Sequence, residues 1–330
     1  MFKYILKRLG QSVLILLGVS LIIYVLIRCM PVSFIDDKIA QMNQGGATIP
    51  EETVTAMKEM YGLADDSFLG IIKGYLNWLS SLCRFDFGTS FKYGEPVLDV
   101  IKDYMGVSFA VSLIATVFEF MIAIPLGITA ATHQYSVRDY VVTILVMIGI
   151  SLPSFFFAQL LKNVFAMQLG WFPPSGYIDA SRDLSGFGAF LNKAWHLFLP
   201  ILTVVILSIG GRMRMTRTNM LEVLNSDYIR TARAKGLKEK VVIYKHAFRN
   251  TMIPLVTSLA GLLPSLFSGA IITEQVFDLP GIGNMAYQAM VAADIPFIMG
   301  YNMFLALLSV IGVLLADLMY AVVDPRVKLA

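Results

Sequence analysis

The sequence has 330 residues, of which 57% are apolar and only 15% are charged, with a formal net charge of +3. Because soluble domains carry about 25% charged residues, this composition is typical of a membrane protein and excludes an ordinary soluble domain. The small net charge gives no support to a nucleic-acid partner.

Six apolar runs are long enough to be membrane spans, which need about 20 residues to cross about 30 Å of hydrocarbon. The first run follows a short basic N-terminus, and we interpret it as a retained span because no small-residue cleavage site follows it. The fourth run is the weakest, and we expect its helix to continue past Arg212 through Met213 and Met215. The predicted spans are Leu9–Ile27, Met105–Ala131, Tyr140–Leu161, Ala194–Gly211, Thr251–Thr273 and Ile295–Ala316.

The distribution of Lys and Arg predicts the orientation of these spans. The segment Arg212–Asn250 alone carries ten Lys/Arg residues against three Asp/Glu residues. Because basic loops stay on the cytoplasmic side, both chain termini are predicted to be cytoplasmic. The predicted organisation is a tail and first span over 1–28, an external segment over 29–104, and a five-helix core over 105–330 that contains the basic loop 212–250.

The external segment contains helical patterns of its own. Proline and two acids mark a helix start at Pro50, and Phe68–Leu82 is predicted to form a helix at the membrane surface. The external segment either stabilises the helix bundle or forms a docking surface, and the sequence leaves both interpretations open. Cys29 and Cys83 fit no metal site and no disulfide framework, and a bridge between them is also left open.

The sequence context argues against a nucleotide site and against an intramembrane hydrolase. The G-x-G-x-x-A string within Leu279–Ala286 follows no strand, so a tight turn or re-entrant loop is predicted there instead of a nucleotide site. The chain has no P-loop motif, and its three histidines fall at or beyond the ends of the spans. An intramembrane hydrolase is therefore not expected.

Glu119 is the one acidic residue well inside a predicted span. Because a charge at the bilayer centre costs about 2.5–3.5 kcal/mol, such residues usually face a protein interior or a cavity. We interpret Glu119 as a protonated or hydrogen-bonded contact between helices, and a role in a proton or substrate path is the alternative. The lack of a second charge in the predicted spans argues against a proton-coupled secondary transporter.

The basic loop has the start and stop signals of a short helix. Asn225, Ser226 and Asp227 are good N-cap residues, and Gly236 supplies the left-handed position that ends a helix. The eight residues between them would form about 12 Å of helix. Since isolated helices this short are marginal in water, the helix is expected to pack against a partner. A second helical stretch over Glu239–Asn250 then leads into the fifth span.

At this point the sequence resembles a known family. The run Tyr228–Leu237, followed by His246–Leu255, resembles the coupling-loop signature of ABC importer permeases, and most closely the B-type permease of oligopeptide, dipeptide and nickel importers. Arg230-Thr-Ala232 replaces the Glu-Ala-Ala of general importer permeases, which looks normal for the peptide and nickel branch. Five further motifs match in order: Asp86–Phe91, Pro153–Phe156, Leu169–Tyr177, Leu279–Gly283 and Tyr320–Arg326.

The resemblance implies an all-α, six-span, type I permease in a prokaryotic cell membrane. It implies three kinds of protein partner: a second permease, two cytoplasmic ATPases and an external substrate-binding protein. Membrane lipid is expected as a further partner. No catalysis and no cofactor are expected in this chain, because the ATPases use the ATP and Mg²⁺. The residues expected to couple to an ATPase are Tyr228, Ile229, Arg230, Thr231, Ala232, Arg233, Ala234, Lys235, Gly236 and Leu237.

Peptide is the expected cargo, and nickel or another small solute is the alternative within the family. A secondary transporter and a basic scaffold that binds anionic lipid are the rival classes outside it. Small and aromatic residues in the second, third and fifth spans are candidates for lining the pathway. They are Ser112, Phe118, Ser151, Phe155, Ser258 and Ser265.

Overall fold

The computed structural model describes residues 2–29, 67–179, 181, 184–258 and 261–323. Within these ranges every regular element is helical, apart from an isolated β-bridge between Thr89 and Pro96. In chain order the elements are α1 Phe2–Arg28, α2 Phe68–Cys83, α3 Val97–Thr132, α4 Val137–Ser151, α5 Ser154–Leu161, the π-helical segment π1 Lys162–Gln168, α6 Gly186–Leu224, α7 Asp227–Ala234, α8 Glu239–Val241, the π-helical segment π2 Val242–Ala247, α9 Phe248–Ser258, α10 Leu262–Ser268, α11 Ile271–Val276, α12 Ile282–Val291 and α13 Ile295–Val323.

Four helices in the described part of the chain are long and apolar enough to cross a membrane. They lie in α1, α3, α6 and α13, and they correspond to the first, second, fourth and sixth predicted spans. The expected continuation of the fourth span is confirmed, because α6 is one helix from Gly186 to Leu224.

The third predicted span is not one straight helix. Helix α4 ends at Ser151, and the pair formed by α4 with α5 and π1 bends by 100°. Leu152 has an extended backbone with ψ of 134°, because the ring of Pro153 disfavours the helical conformation in the residue before it. Counted as one broken span, the pair is a fifth candidate.

The fifth predicted span, Thr251–Thr273, is divided among α9, α10 and α11. Gly269 has a φ of +74°, and this left-handed conformation stops α10 before α11 begins. The count of six spans therefore stays a prediction.

The chain divides into two compact units. The first combines Met1–Tyr104 with Met285–Val310, and the second combines Met105–Asn284 with Ile311–Leu329. The predicted division at 28/29 and 104/105 stays a prediction. The helix start expected at Pro50 lies outside the described residues.

In the first unit, α2 packs against α1 and the beginning of α13. Trp78 and Tyr24 are almost fully buried, and their rings stack with centroids 6.0 Å apart. Ile295 and Met299 complete this core. A helix over Phe68–Leu82 is thus confirmed, while its position at the membrane surface stays a prediction. Both cysteines are free.

The first unit also contains a fully buried carboxylate, Asp294, which organises the loop before α3. Asp294 accepts hydrogen bonds from the hydroxyl of Ser90 and from the backbone N–H groups of Phe91, Lys92 and Phe297. This explains the Ser-Phe end of the Asp86–Phe91 motif, because the serine hydroxyl and the turn that follows it wrap the carboxylate.

In the second unit, α6 lies close to both α3 and α4. A Cβ atom on Gly127 of α3 would lie 2.7 Å from Cβ of Thr216, and one on Gly210 of α6 would overlap Ile150 of α4. These glycines allow close helix packing, so α3, α4 and α6 form a tight group that leads to the basic loop.

Candidate functional site

Helix α7 has the limits that the sequence predicted. It runs over eight residues from Asp227 to Ala234, with Ser226 at the N-cap in an extended conformation. The Ser226 hydroxyl donates to the carbonyl of Val223 and does not cap the helix. Gly236 has a φ of +75°, so the predicted left-handed stop is confirmed.

One face of α7 is buried against the ends of neighbouring helices. Ile229 is fully buried and Ala232 is 7% exposed. Because residues three apart share a helix face, the two side chains dock together. Burying an isoleucine stabilises the docked position by about 1.5–3 kcal/mol. Their cluster also contains Ile128, Ala131, Met220, Val242 and Ala247, from α3, α6 and π2.

The rest of the predicted coupling residues face outward. Tyr228 is 47% exposed and the Arg230 side chain is 74% exposed. The exposed members are Tyr228, Arg230, Thr231, Arg233, Ala234, Lys235, Gly236 and Leu237. One face of helix α7 is therefore packed against the neighbouring helices, and the rest of the helix exposes an aromatic and basic surface.

An ion pair spans the turn that follows α7. Nη2 of Arg233 lies 2.7 Å from Oε1 of Glu239 at the start of α8. The hydrogen bond from Arg233 lowers the pKa of Glu239, and the same bond raises the pKa of Arg233. Both side chains are about half exposed, so the pair contributes at most about 1 kcal/mol.

A polar cluster inside the helices centres on Arg212 of α6. Its Nε donates to Oε1 of Glu119 at 3.0 Å, and its Nη1 donates to Oγ of Ser258 at 2.8 Å. The guanidinium also lies 4.5 Å from the ring centroid of Phe120. The contact between helices inferred for Glu119 is confirmed, and its partner is Arg212, a residue predicted to lie in the loop 212–250.

The two contacts of Arg212 differ in strength. Removing one partner of a buried ion pair costs about 3–5 kcal/mol, because the other charge stays unpaired. A hydrogen bond from a charged group to a neutral hydroxyl contributes about 1.5–3 kcal/mol. Arg212 is thus fixed more firmly to Glu119 on α3 than to Ser258 on α9.

A second ion pair joins α4 to α6. Nε and Nη2 of Arg217 donate to the two carboxylate oxygens of Asp139 at 3.0 and 2.8 Å. Asp139 is buried and also accepts from the backbone N–H of Tyr135. Such two-pronged pairs fix orientation as well as distance. Five residues after Arg212, α6 is therefore fixed to a third helix.

The predicted pathway residues are scattered, and only Ser258 joins the Arg212 cluster. Phe118 lines a 460 Å³ groove between α3 and α6 that also contains Lys193 and Phe198. Ser151 and Ser265 bond to carbonyls within their own helices. Phe155 is exposed and Ser112 is half-buried. That these six residues line a pathway stays a prediction.

A fully buried carboxylate that the sequence patterns did not reveal, Glu274, lies one residue beyond the predicted fifth span. Its Oε1 accepts from Oγ of Ser108 at 2.6 Å and from the backbone N–H of Ala270 at 3.1 Å. Its Oε2 accepts from the backbone N–H of Asn284 at 2.9 Å. A usable signal was present in the sequence, since an acid precedes a glycine-rich turn.

The Leu279–Gly283 motif forms the turn between α11 and α12. This confirms the tight turn, which was one of the two predicted alternatives. The Gly281 N–H donates to the Leu279 carbonyl at 2.8 Å. A Cβ on Gly281 would overlap the Glu274 carboxyl group, and one on Gly283 would lie 2.9 Å from Oε2 of Glu274. The glycines are required because the carboxylate occupies the space of their side chains.

Comparison with known proteins identifies the family. A family model described as "Binding-protein-dependent transport system inner membrane component" matches residues 123–329. The chain belongs to this family of permeases. The permease is 36% identical over 333 residues to the oligopeptide transport system permease protein AppB of Bacillus subtilis (strain 168). That match covers 99% of this chain and 100% of AppB.

Two further similarities agree with this result. The permease is 32% identical to the dipeptide transport system permease protein DppB of the same strain, with 100% of this chain and 99% of DppB covered. It also resembles a chain of the MetNI methionine ABC transporter in inward-facing conformations, with a TM-score of 0.51 and 15% identity. The likeness covers 69% of this chain and 97% of that chain, and it shows the fold alone.

The family resemblance derived from the sequence motifs is thus confirmed. The permease is a multi-pass membrane subunit with the helical fold of type I ABC importer permeases, and it belongs to the peptide-transport branch.

Proposed function

We propose that this permease forms half of the translocation pathway of an ATP-driven peptide importer, and that α7 receives the motion of an ATPase subunit. The observation that carries the proposal is the two-sided character of α7. Ile229 and Ala232 dock the helix on the ends of α3, α6 and π2, while Tyr228 and Arg230 remain exposed. A displacement of the exposed face would therefore move the ends of α3, α6 and π2, against which α7 packs.

The assembly that follows contains a second permease, two cytoplasmic ATPases and an external substrate-binding protein. In this proposal the ATPases bind and hydrolyse ATP with Mg²⁺, and the permease itself holds no cofactor. The chain crosses the membrane six times, with α7 and both termini in the cytoplasm. The concentration of Lys and Arg in the loop 212–250 supports this orientation.

Peptide is the proposed cargo. It is supported by the similarity to an oligopeptide and a dipeptide permease over nearly the whole chain. Uptake into proteoliposomes that carry the assembled importer and its binding protein tests the cargo. Labelled dipeptides and tetrapeptides should accumulate with ATP, and Ni²⁺ should not compete. Accumulation of Ni²⁺ without peptide uptake would refute the peptide assignment.

The coupling role of α7 is tested with a matched pair of variants. Tyr228→Ala with Arg230→Ala removes the exposed surface of α7, and Lys238→Gln with Lys240→Gln removes exposed charge just outside it. The first double variant should lose both co-purification with the ATPases and peptide-stimulated ATP hydrolysis. The second should retain both. If only the lysine pair matters, the loop works through charge, as a lipid-binding surface would.

A further inference from the structure

Side-chain hydrogen bonds join α6 and α9, the two helices that lie before and after the basic loop in the chain. Helix α6 leads into α7, and α8 with π2 leads from α7 into α9. Arg212 of α6 donates from Nη1 to Oγ of Ser258 at the end of α9, and the two residues are 46 positions apart. This bond closes the segment of chain that contains the coupling helix.

Arg212 is held more firmly on one side of this bond than on the other. Its Nε is paired with Glu119, and its guanidinium lies over the ring of Phe120, both on α3. Separating Arg212 from Glu119 would leave two unpaired charges of low exposure. Releasing Ser258 leaves a neutral hydroxyl that also donates to the Leu255 carbonyl at 2.6 Å. The Ser258 contact is therefore the one that breaks first.

The geometry of α9 makes this contact sensitive to small motions. Thr251, near the start of α9, is fully buried, and its hydroxyl donates to Sδ of Met220 on α6 at 3.2 Å. Ser258 lies seven residues further along, or about 10 Å. A tilt of about 10° around Thr251 would move Ser258 by about 2 Å, which exceeds the tolerance of a hydrogen bond.

We propose that Arg212 is a positioning residue for coupling, which fastens the end of α9 to α3 and α6 in the resting permease and releases it when an ATPase displaces α7. Glu119 keeps Arg212 paired in both states, so that only the Ser258 contact is exchanged. The inference rests on the proposed function, because it needs an ATPase that acts on α7. Beyond that function, the inference names the Arg212–Ser258 hydrogen bond as the contact that resists the displacement of α9.

Ser258→Ala tests the proposal in the fully assembled importer. Without the contact, α9 is released more easily, so ATP hydrolysis without peptide should rise several-fold and the ratio of stimulated to basal hydrolysis should fall. Ser258→Thr retains a hydroxyl and should restore the low basal rate. Ser208→Ala is the matched control, because the Ser208 hydroxyl bonds only to Val204 in its own helix, as far as the described residues show.

Thermal unfolding separates this role from simple bracing. The unfolding midpoint of Ser258→Ala should fall only slightly, because Arg212 loses one hydrogen bond but stays paired with Glu119. A wild-type hydrolysis ratio in Ser258→Ala would overturn the proposal while peptide-stimulated hydrolysis in the unmodified importer still supports the proposed function. If the unmodified importer shows no peptide stimulation, the proposed function and this inference both fail.

Discussion

Gly281 lies directly against the buried carboxyl group of Glu274, with no room between them for a Cβ atom. The same carboxylate accepts a hydrogen bond from Ser108 on α3. The Ser108 hydroxyl in turn accepts from the backbone N–H of Ile282 at 2.8 Å. Glu274 thus holds the turn between α11 and α12 against α3, and the glycine permits the approach.

Gly281→Ala should therefore destabilise the permease. A methyl group there forces the carboxylate out of its hydrogen bonds, and overpacking of this kind costs about 1–3 kcal/mol. The unfolding midpoint in detergent should fall clearly. Gly106→Ala is the control, since a Cβ at Gly106 of α3 meets nothing within 4 Å. It should leave the midpoint unchanged or raise it slightly. Equal midpoints for both variants would contradict the packing argument.

Gly236→Val should impair coupling without unfolding the membrane helices. The φ of +75° is strained for a β-branched residue, although a Cβ at this position meets nothing within 4 Å. The strain of about 1–2 kcal/mol therefore acts on the turn after α7. Peptide-stimulated ATP hydrolysis should drop. Gly236→Asn, which tolerates the left-handed conformation, should keep most of it. Unchanged stimulation in Gly236→Val would rule out the assignment of α7.

Asp294→Ala should disrupt the first unit. The change leaves the Ser90 hydroxyl and three backbone N–H groups without their acceptor. The two buried donors, the Ser90 hydroxyl and the Phe297 N–H, each cost about 1–3 kcal/mol when unsatisfied. We expect a large fall in the yield of folded protein. The exposed Asp99 pairs only with Lys102 among the described residues, so Asp99→Ala should give a normal yield. Comparable yields would show that Asp294 is dispensable.

Tyr93 makes the stability of the first unit depend on pH in the alkaline range. Burial and the nearby charge of Asp294 raise the pKa of Tyr93 to about 12, and its hydroxyl donates to the Met285 carbonyl at 2.9 Å. Between pH 10 and 12 the unfolded chain loses the Tyr93 proton before the folded chain does. Because the folded state then binds more protons, stability falls as pH rises through this window.

The comparison with Tyr93→Phe isolates this effect. The variant loses one hydrogen bond, worth about 1 kcal/mol, at neutral pH. The stability difference from wild type should shrink as the pH rises above 10, because the wild type alone bears the penalty. Thermal unfolding from pH 8 to pH 11 measures it. A difference that stays constant with pH would show that the Tyr93 hydroxyl is not held in its neutral form.

Structural features that depend on residues close together in the sequence were predictable. The limits of α7 were predictable, since Ser226 occupies the N-cap position in an extended conformation and Gly236 supplies the left-handed stop, although the Ser226 hydroxyl does not cap the helix. The long helices follow from runs of apolar residues, and the extension of α6 past Arg212 was predicted because the fourth apolar run is the weakest of the six. The bend at Pro153 was also local, but an apolar run alone does not reveal it.

The sequence by itself determined the membrane class, the main helices and the family, because hydropathy, capping residues and ordered motifs are local properties. Only the tertiary structure decided which polar groups meet. Arg212 lies 93 residues from Glu119 and 46 from Ser258, and Ser108 lies 166 residues from Glu274. Residues so far apart in the chain leave no periodic signal. Their pairing arises because buried charged and polar groups must find partners when the helices pack together.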